Sequence, residues 1–130
     1  MKNNRFSLRK RLKSFGFAFN GLVILLREEH NSRIHFIAAF ITVFIAFWLK
    51  ISAIEWVAIV FAIGFVITLE IINSAIENMA DFISPEKHEM IKKIKDLSAA
   101  GVLVGSITSL IIGIIVFLPK IIDKVLPHVK

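Results

Sequence analysis

The chain has 130 residues, 56% of them apolar and only 20% charged, with 12 phenylalanines and a net charge of +6. A soluble domain of this size needs many more polar residues to cover its surface, so composition excludes an ordinary soluble domain and a disordered chain alike. The lack of cysteine excludes a disulfide framework, a thiolate metal site and a Cys nucleophile, and the basic charge points to an anionic membrane surface rather than nucleic acid.

In chain order, the pattern predicts an all-α membrane protein with an N-terminal amphipathic surface helix and three transmembrane helices, forming a single domain over 1–130. The surface helix is predicted over 6–30. Leu8, Leu12, Phe15, Phe19, Leu22 and Leu26 share one helical face, while Arg9, Lys13, Gly16, Asn20 and Arg27 lie well round from it. Such a helix lies in the membrane interface with its basic side toward headgroups. The first membrane helix is predicted over 34–49, with His35 as its only ionisable group. The second is predicted over 56–76, continuing to about 82. A further amphipathic helix on the cytoplasmic side is predicted over 85–95, with Ser84 and Pro85 as N-cap and first helical residue and Lys92, Lys93 and Lys95 near its end. The third membrane helix is predicted over 97–119, where Gly101, Gly105, Ser109 and Gly113 form a small-xxx-small pattern suited to close helix contact. A helical span needs about 20 residues, which these stretches approach or exceed. The apolar block starts only at residue 34 with no small-residue cleavage site after it, which argues against a removable signal peptide. Most Lys and Arg residues lie in 1–33 and 77–96. The positive-inside rule therefore predicts a multi-pass protein of the cytoplasmic (inner) membrane with a cytoplasmic N-terminus.

The chemistry is concentrated in a polar stripe. Glu70, Asn73, Glu77 and Asp81 point at 0°, 300°, 340° and 20° around one helix, a single narrow face climbing about 16 Å. Carboxylates at membrane depth are costly and usually mark function. With no Lys or Arg in the same segment, they call for a cation, and oxygen-only ligands suit a hard ion such as Mg²⁺. The alternatives are a solvated helix end for Glu77 and Asp81, and for Glu70 a protonated carboxyl bonded to a neighbouring helix. Glu28 and Glu29 stand before the first membrane helix, and Lys95 and Asp96 before the third, at the same level. A cation site lined by Glu29, Glu77 and Asp96 and flanked by Lys95 is what a nucleoside triphosphate with Mg²⁺ requires. Glu70, deeper and drier, suits a general base taking a proton from an alcohol that arrives from the lipid side. No P-loop motif is present. The rival from another class is a small ion-coupled transporter with Glu70 as its intramembrane proton carrier.

Glu70-Ile-Ile-Asn-Ser-Ala-Ile-Glu77 followed by Asp81 resembles the E-x-x-N-[ST]-A-I-E-x-x-x-D signature of the prokaryotic diacylglycerol kinase family, small integral-membrane lipid kinases. Lys95-Asp96 before Ser98-Ala99-Ala100 is similar to a second signature, and Glu86-Lys87-His88 resembles an E-x-H motif. Phe17 to Leu22 and Glu29 to His35 look more like the undecaprenol-kinase branch. The chain departs from the diacylglycerol branch at Ser98-Ala99, often Gly-Ser there, and at Phe17, where some members have Tyr. The resemblance implies a homotrimer with shared active sites at the cytoplasmic interface. It implies ATP and Mg²⁺ as cofactors and a membrane lipid as substrate, undecaprenol ahead of diacylglycerol. By the same resemblance Glu70 is the catalytic base and Glu29 and Glu77 are the metal ligands. Asn73, Glu86, Lys87, His88, Lys95 and Asp96 join those two glutamates at the nucleotide. Further candidates are Lys10, Lys13, Phe17 and Asp81. Candidates for the lipid site are Glu70, Ala99, Trp48 and Arg33.

Overall fold

A computed structural model describes residues 7–86 and 88–125, and these form four helices with no strand among them. They are α1 (Leu8–Glu28), α2 (His30–Leu49), α3 (Ala53–Ile83) and α4 (Glu89–Val125). The last three are long and apolar enough to cross a membrane.

α1 buries only Leu25. Its apolar face stays open, with Leu8, Leu12, Phe15 and Phe19 all about two-thirds exposed. An unpartnered apolar face opposite a basic one is the arrangement of an interfacial helix. The chain breaks at Glu29, whose φ of −102° and ψ of 113° are extended. Arg33 then reaches back across the corner, its Nε donating to the Leu26 carbonyl at 2.7 Å and its Nη2 to the Arg27 carbonyl. Two carbonyls that the end of α1 leaves without helical partners are satisfied in this way.

α2 ends in a Schellman motif. Lys50 takes the left-handed conformation (φ 51°, ψ 53°). The Lys50 N–H donates to Phe47 and the Ile51 N–H to Ala46, at 3.1 and 3.3 Å. Ile51 and Ala46, the residues that this motif brings together, are both buried in the main apolar cluster with Leu49, Ile59 and Val116. α3 starts at once with a capping box: the Ser52 N–H donates to the Glu55 carboxylate at 2.6 Å, and the Glu55 N–H to the Ser52 hydroxyl. A tight hairpin results, and the core forms beside it.

The expected surface helix over 6–30 ends at Glu28, α2 and α3 start a few residues before the expected 34 and 56, and the largest differences lie at the two ends of α4. The amphipathic stretch over 85–95 is not a separate helix. Ser84 instead closes α3, its N–H donating to Ala80. His88 opens α4, its Nδ1 accepting the Met90 N–H at 3.2 Å. From Glu89 onward nothing breaks the helix between Lys95 and Leu97, so the amphipathic turns and the apolar span are continuous. α4 also passes through Pro119 to Val125. Proline removes one helical hydrogen bond there, and side chains of the next turns hold the segment to its neighbours. Lys120 pairs with Glu55 at 3.1 Å, and the Lys124 ammonium donates to the Trp48 carbonyl at 3.0 Å while lying 4.3 Å from the Trp48 ring centre.

α3 and α4 form the principal antiparallel pair. Of the four small residues of α4, Gly105 and Ser109 make the close approach. A Cβ at Gly105 would run into Leu69 Cδ1, and the Ser109 hydroxyl donates to the Ala62 carbonyl at 3.1 Å. Gly101 and Gly113 meet nothing within 4 Å of such a Cβ. Lipid tails are as apolar as leucine, so helix association here draws on close packing and polar contacts rather than on transfer from water. Much of the remaining apolar surface faces outward, Phe40 being 77% and Ile54 80% exposed.

Candidate active site

The polar stripe of α3 lies at the end of the bundle opposite the hairpin, and each of its members finds a partner on another element or along the stripe. Glu70 is only 4% exposed. Its Oε2 accepts the Ser32 hydroxyl at 2.9 Å, and its Oε1 lies 3.2 Å from His35 Nε2. Both partners come from α2. One turn on, the Asn73 amide donates to Glu77 Oε1 at 3.2 Å, and its carbonyl oxygen accepts the Ser98 hydroxyl of α4 at 2.6 Å. Ser74, buried beside Asn73, donates to Glu29 Oε1 at 3.2 Å. Asp81 accepts both of its contacts, 2.9 and 3.1 Å, from the Lys95 ammonium. Glu70 and Asp81 thus draw their basic partners from neighbouring helices, a possibility invisible within the α3 segment.

The break at Glu29 has a direct consequence for the site. The carboxylate stands at the N-terminal end of α2, beside the stripe, rather than inside a continuous helix. Lys95 precedes the apolar stretch over 97–119. Its hydrogen bond to Asp81 holds the ammonium above the ordinary lysine value against the opposing effect of desolvation, and the carboxylates of Glu77 and Glu29 add to it. Lys95 therefore sits within the field of all three acids.

The donors near Glu29 and Glu77 are oxygens, the chemistry that Mg²⁺ prefers. Among the described residues no three His, Asp or Glu side chains come close enough to hold a metal ion. The three-carboxylate lining expected of Glu29, Glu77 and Asp96 is therefore not assembled within one chain. Asp96 lies instead beside Glu89, Lys92, Lys93 and Leu97 in an open groove on α4. Two carboxylates still fit an ion that arrives on phosphate oxygens, the usual manner of Mg²⁺ at nucleotide sites.

A cavity of about 480 Å³ runs between α2, α3 and α4 from His35 to Ile121, with Ala38, Thr42, Ile63 and Ser106 among its walls. It is apolar along most of its length and has His35, the partner of Glu70, on its lining. The Ser106 hydroxyl is buried without a hydrogen-bond partner among the described residues.

Other candidates are placed apart. Trp48 belongs to the hairpin end with Lys124, remote along α2 from His35 and Glu70, so the structure does not bring it to the lipid site proposed from sequence. Arg33 is occupied at the α1–α2 corner. Lys10, Lys13 and Phe17 stay exposed on α1, the Lys13 ammonium 5.9 Å from the Phe17 ring centre. Glu86 is exposed in the α3–α4 connection, His88 caps α4, and Ala99 is exposed one residue beyond Ser98. Lys87 lies outside the described residues. Sequence reasoning passed over Ser32, His35, Ser74 and Ser98 as site residues. The spacing of Ser32 and His35 was a usable signal, since residues three apart share a helix face.

Residues 16–117 match the family described as prokaryotic diacylglycerol kinase. The chain is 38% identical over 120 residues to an undecaprenol kinase of Bacillus subtilis, covering 92% of this chain and 98% of the relative. It is 34% identical over 111 residues to a diacylglycerol kinase of Escherichia coli (strain K12), covering 85% and 91%. A diacylglycerol kinase of Helicobacter pylori (strain ATCC 700392 / 26695) is 33% identical over 99 residues, covering 75% and 77%. With the family matched over most of its length and its signature acids gathered at one end of a three-span bundle, the chain belongs to the prokaryotic diacylglycerol kinase family, a family of lipid kinases.

Proposed function

We propose that this protein transfers the γ-phosphoryl group of ATP to the primary hydroxyl of a membrane lipid alcohol, with undecaprenol ahead of diacylglycerol as acceptor. The observation that carries the reading is Glu70. It is a buried carboxylate whose partner His35 lines an apolar cavity, and it lies one helical turn from the Asn73–Glu77 pair. The cavity offers a lipid chain a path that brings its hydroxyl to Glu70. As the lipid oxygen attacks the γ-phosphorus, Glu70 accepts its proton and the bond from the γ-phosphorus to the bridging oxygen breaks, releasing ADP. Glu29 and Glu77 would hold Mg²⁺, which supplies charge neutralisation at the phosphate oxygens. Lys95 and Asn73 hold and orient the nucleotide from α4 and α3.

We place the N-terminus and the stripe on the cytoplasmic side of the cell membrane, where ATP is available and where the basic residues concentrate. A homotrimer accounts for the outward-facing apolar surface and lets Asp96, which lines a groove on α4 with Glu89, Lys92 and Lys93, serve a neighbour's nucleotide. Crosslinking in mild detergent reads out the trimer, and a fully active monomer would contradict shared sites. The reaction is tested with purified protein and radiolabelled ATP, offering undecaprenol, diacylglycerol and ceramide side by side. Labelled undecaprenyl phosphate is expected to accumulate fastest. Labelling of none of the three would sink the kinase assignment, and faster labelling of diacylglycerol would reverse the order of acceptors.

A further inference from the structure

We propose that His35 and Ser32 are positioning residues for Glu70, two α2 side chains that grip its two carboxylate oxygens and leave the carboxylate aimed at the incoming lipid hydroxyl. This inference rests on Glu70 being the base.

The terminal torsion of a glutamate is broad, so a glutamate on a helix does not aim its own lone pairs. Here the carboxylate is 4% exposed and Ser32 is fully buried, which leaves the carboxylate dependent on protein donors. Ser32 and His35 are three residues apart and share one face of α2. From that face the Ser32 hydroxyl donates to Oε2 at 2.9 Å, and His35 Nε2 stands 3.2 Å from Oε1. Each carboxylate oxygen offers about two acceptor positions. The Ser32 hydroxyl on Oε2 and the imidazole nitrogen against Oε1 restrict the plane of the group and still leave a lone pair free to take the proton of an alcohol. His35 is 26% exposed and also lines the apolar cavity. The imidazole that contacts the base therefore also borders the space available to lipid. Misplacement of a reacting group by about 1 Å costs on the order of 10²-fold in rate, so a grip of this kind has kinetic weight.

The experiment uses the full chain in nanodiscs with MgATP and either undecaprenol or diacylglycerol. His35→Leu, which removes the imidazole contact, is expected to lower kcat by about 10²-fold with the KM for ATP nearly unchanged. His35→Gln, which restores an N–H at the place of Nε2, is expected to recover most of that loss. The double variant His35→Leu/Glu70→Gln should be no slower than Glu70→Gln alone, because a grip on a missing base has nothing to orient. A His35→Leu enzyme close to wild type, or equal losses in His35→Leu and His35→Gln, would overturn the proposal. Should His35→Leu not fold, Ser32→Ala removes a single hydroxyl and carries the same expectation at about tenfold in kcat, wild-type turnover again overturning it. Failure of the underlying reading looks different, since Glu70→Gln would then keep turning over.

Discussion

The two ends of the bundle use similar residues for opposite purposes. At the hairpin end Ser52, Glu55, Lys50, Lys120 and Lys124 each finish a helix or tie one to the next, and the apolar cluster around Ile59 fills the space between them. At the Glu70 end the buried side chains include Ser32, Glu70 and Ser74, and the acids of the stripe are linked across three helices. Polar groups at the first end satisfy backbone that would otherwise go unbonded. At the second they satisfy one another across α2, α3 and α4, where each interhelical polar contact contributes on the order of 0.6 kcal/mol. The difference separates a polar cluster that builds a fold from one that we propose serves chemistry.

Substitutions test that contrast in order of expected size. The largest effect belongs to Glu70→Gln, which keeps the shape and the acceptor for Ser32 but removes the proposed base. Phosphoryl transfer should fall by about 10²–10⁴-fold while nucleotide binding largely survives. Substantial turnover would mean that the two ends do not differ in the way described. Next come Glu29→Gln and Glu77→Gln. A Mg²⁺ titration of activity should require about 10–100-fold more metal, the range for a disturbed metal-ligand shell, and unchanged titrations in both variants would remove the proposed metal site. The smallest effect is expected at the opposite end. Glu55→Gln weakens the capping box and the pair with Lys120, so thermal unfolding in detergent should begin slightly lower while kcat stays within about twofold. A large loss of activity there would erase the distinction between the ends.

Much of this was legible in the chain because membranes simplify the code. Long apolar stretches must be helices in lipid, which is why 34–49, 56–76 and 97–119 all fall inside helices. The stripe at 70, 73, 77 and 81 was legible for a similar reason, since helical periodicity alone places those residues on one face. The connection at 84–88 was misread. Ser84-Pro85 carries a helix-start signal, but a serine there serves equally well as the end of α3, and only the turn decides between them. Trp48 and Arg33 are of types common at lipid sites, and the structure adds contacts that the sequence does not show: Trp48 with Lys124 and Arg33 with the end of α1.

The sequence by itself determined that this is a membrane protein of three spans, which residues form the acidic face and to which kinase family the chain belongs. Those properties depend on composition, period and local motif, all carried by neighbours in the chain. Only the tertiary structure decided what the acids touch: Glu70 with Ser32 and His35, Glu29 with Ser74, Asn73 with Ser98, and Asp81 with Lys95. Each of these pairs joins residues that are many positions apart. It forms because antiparallel packing of α2, α3 and α4 aligns particular turns, and no local rule specifies that alignment.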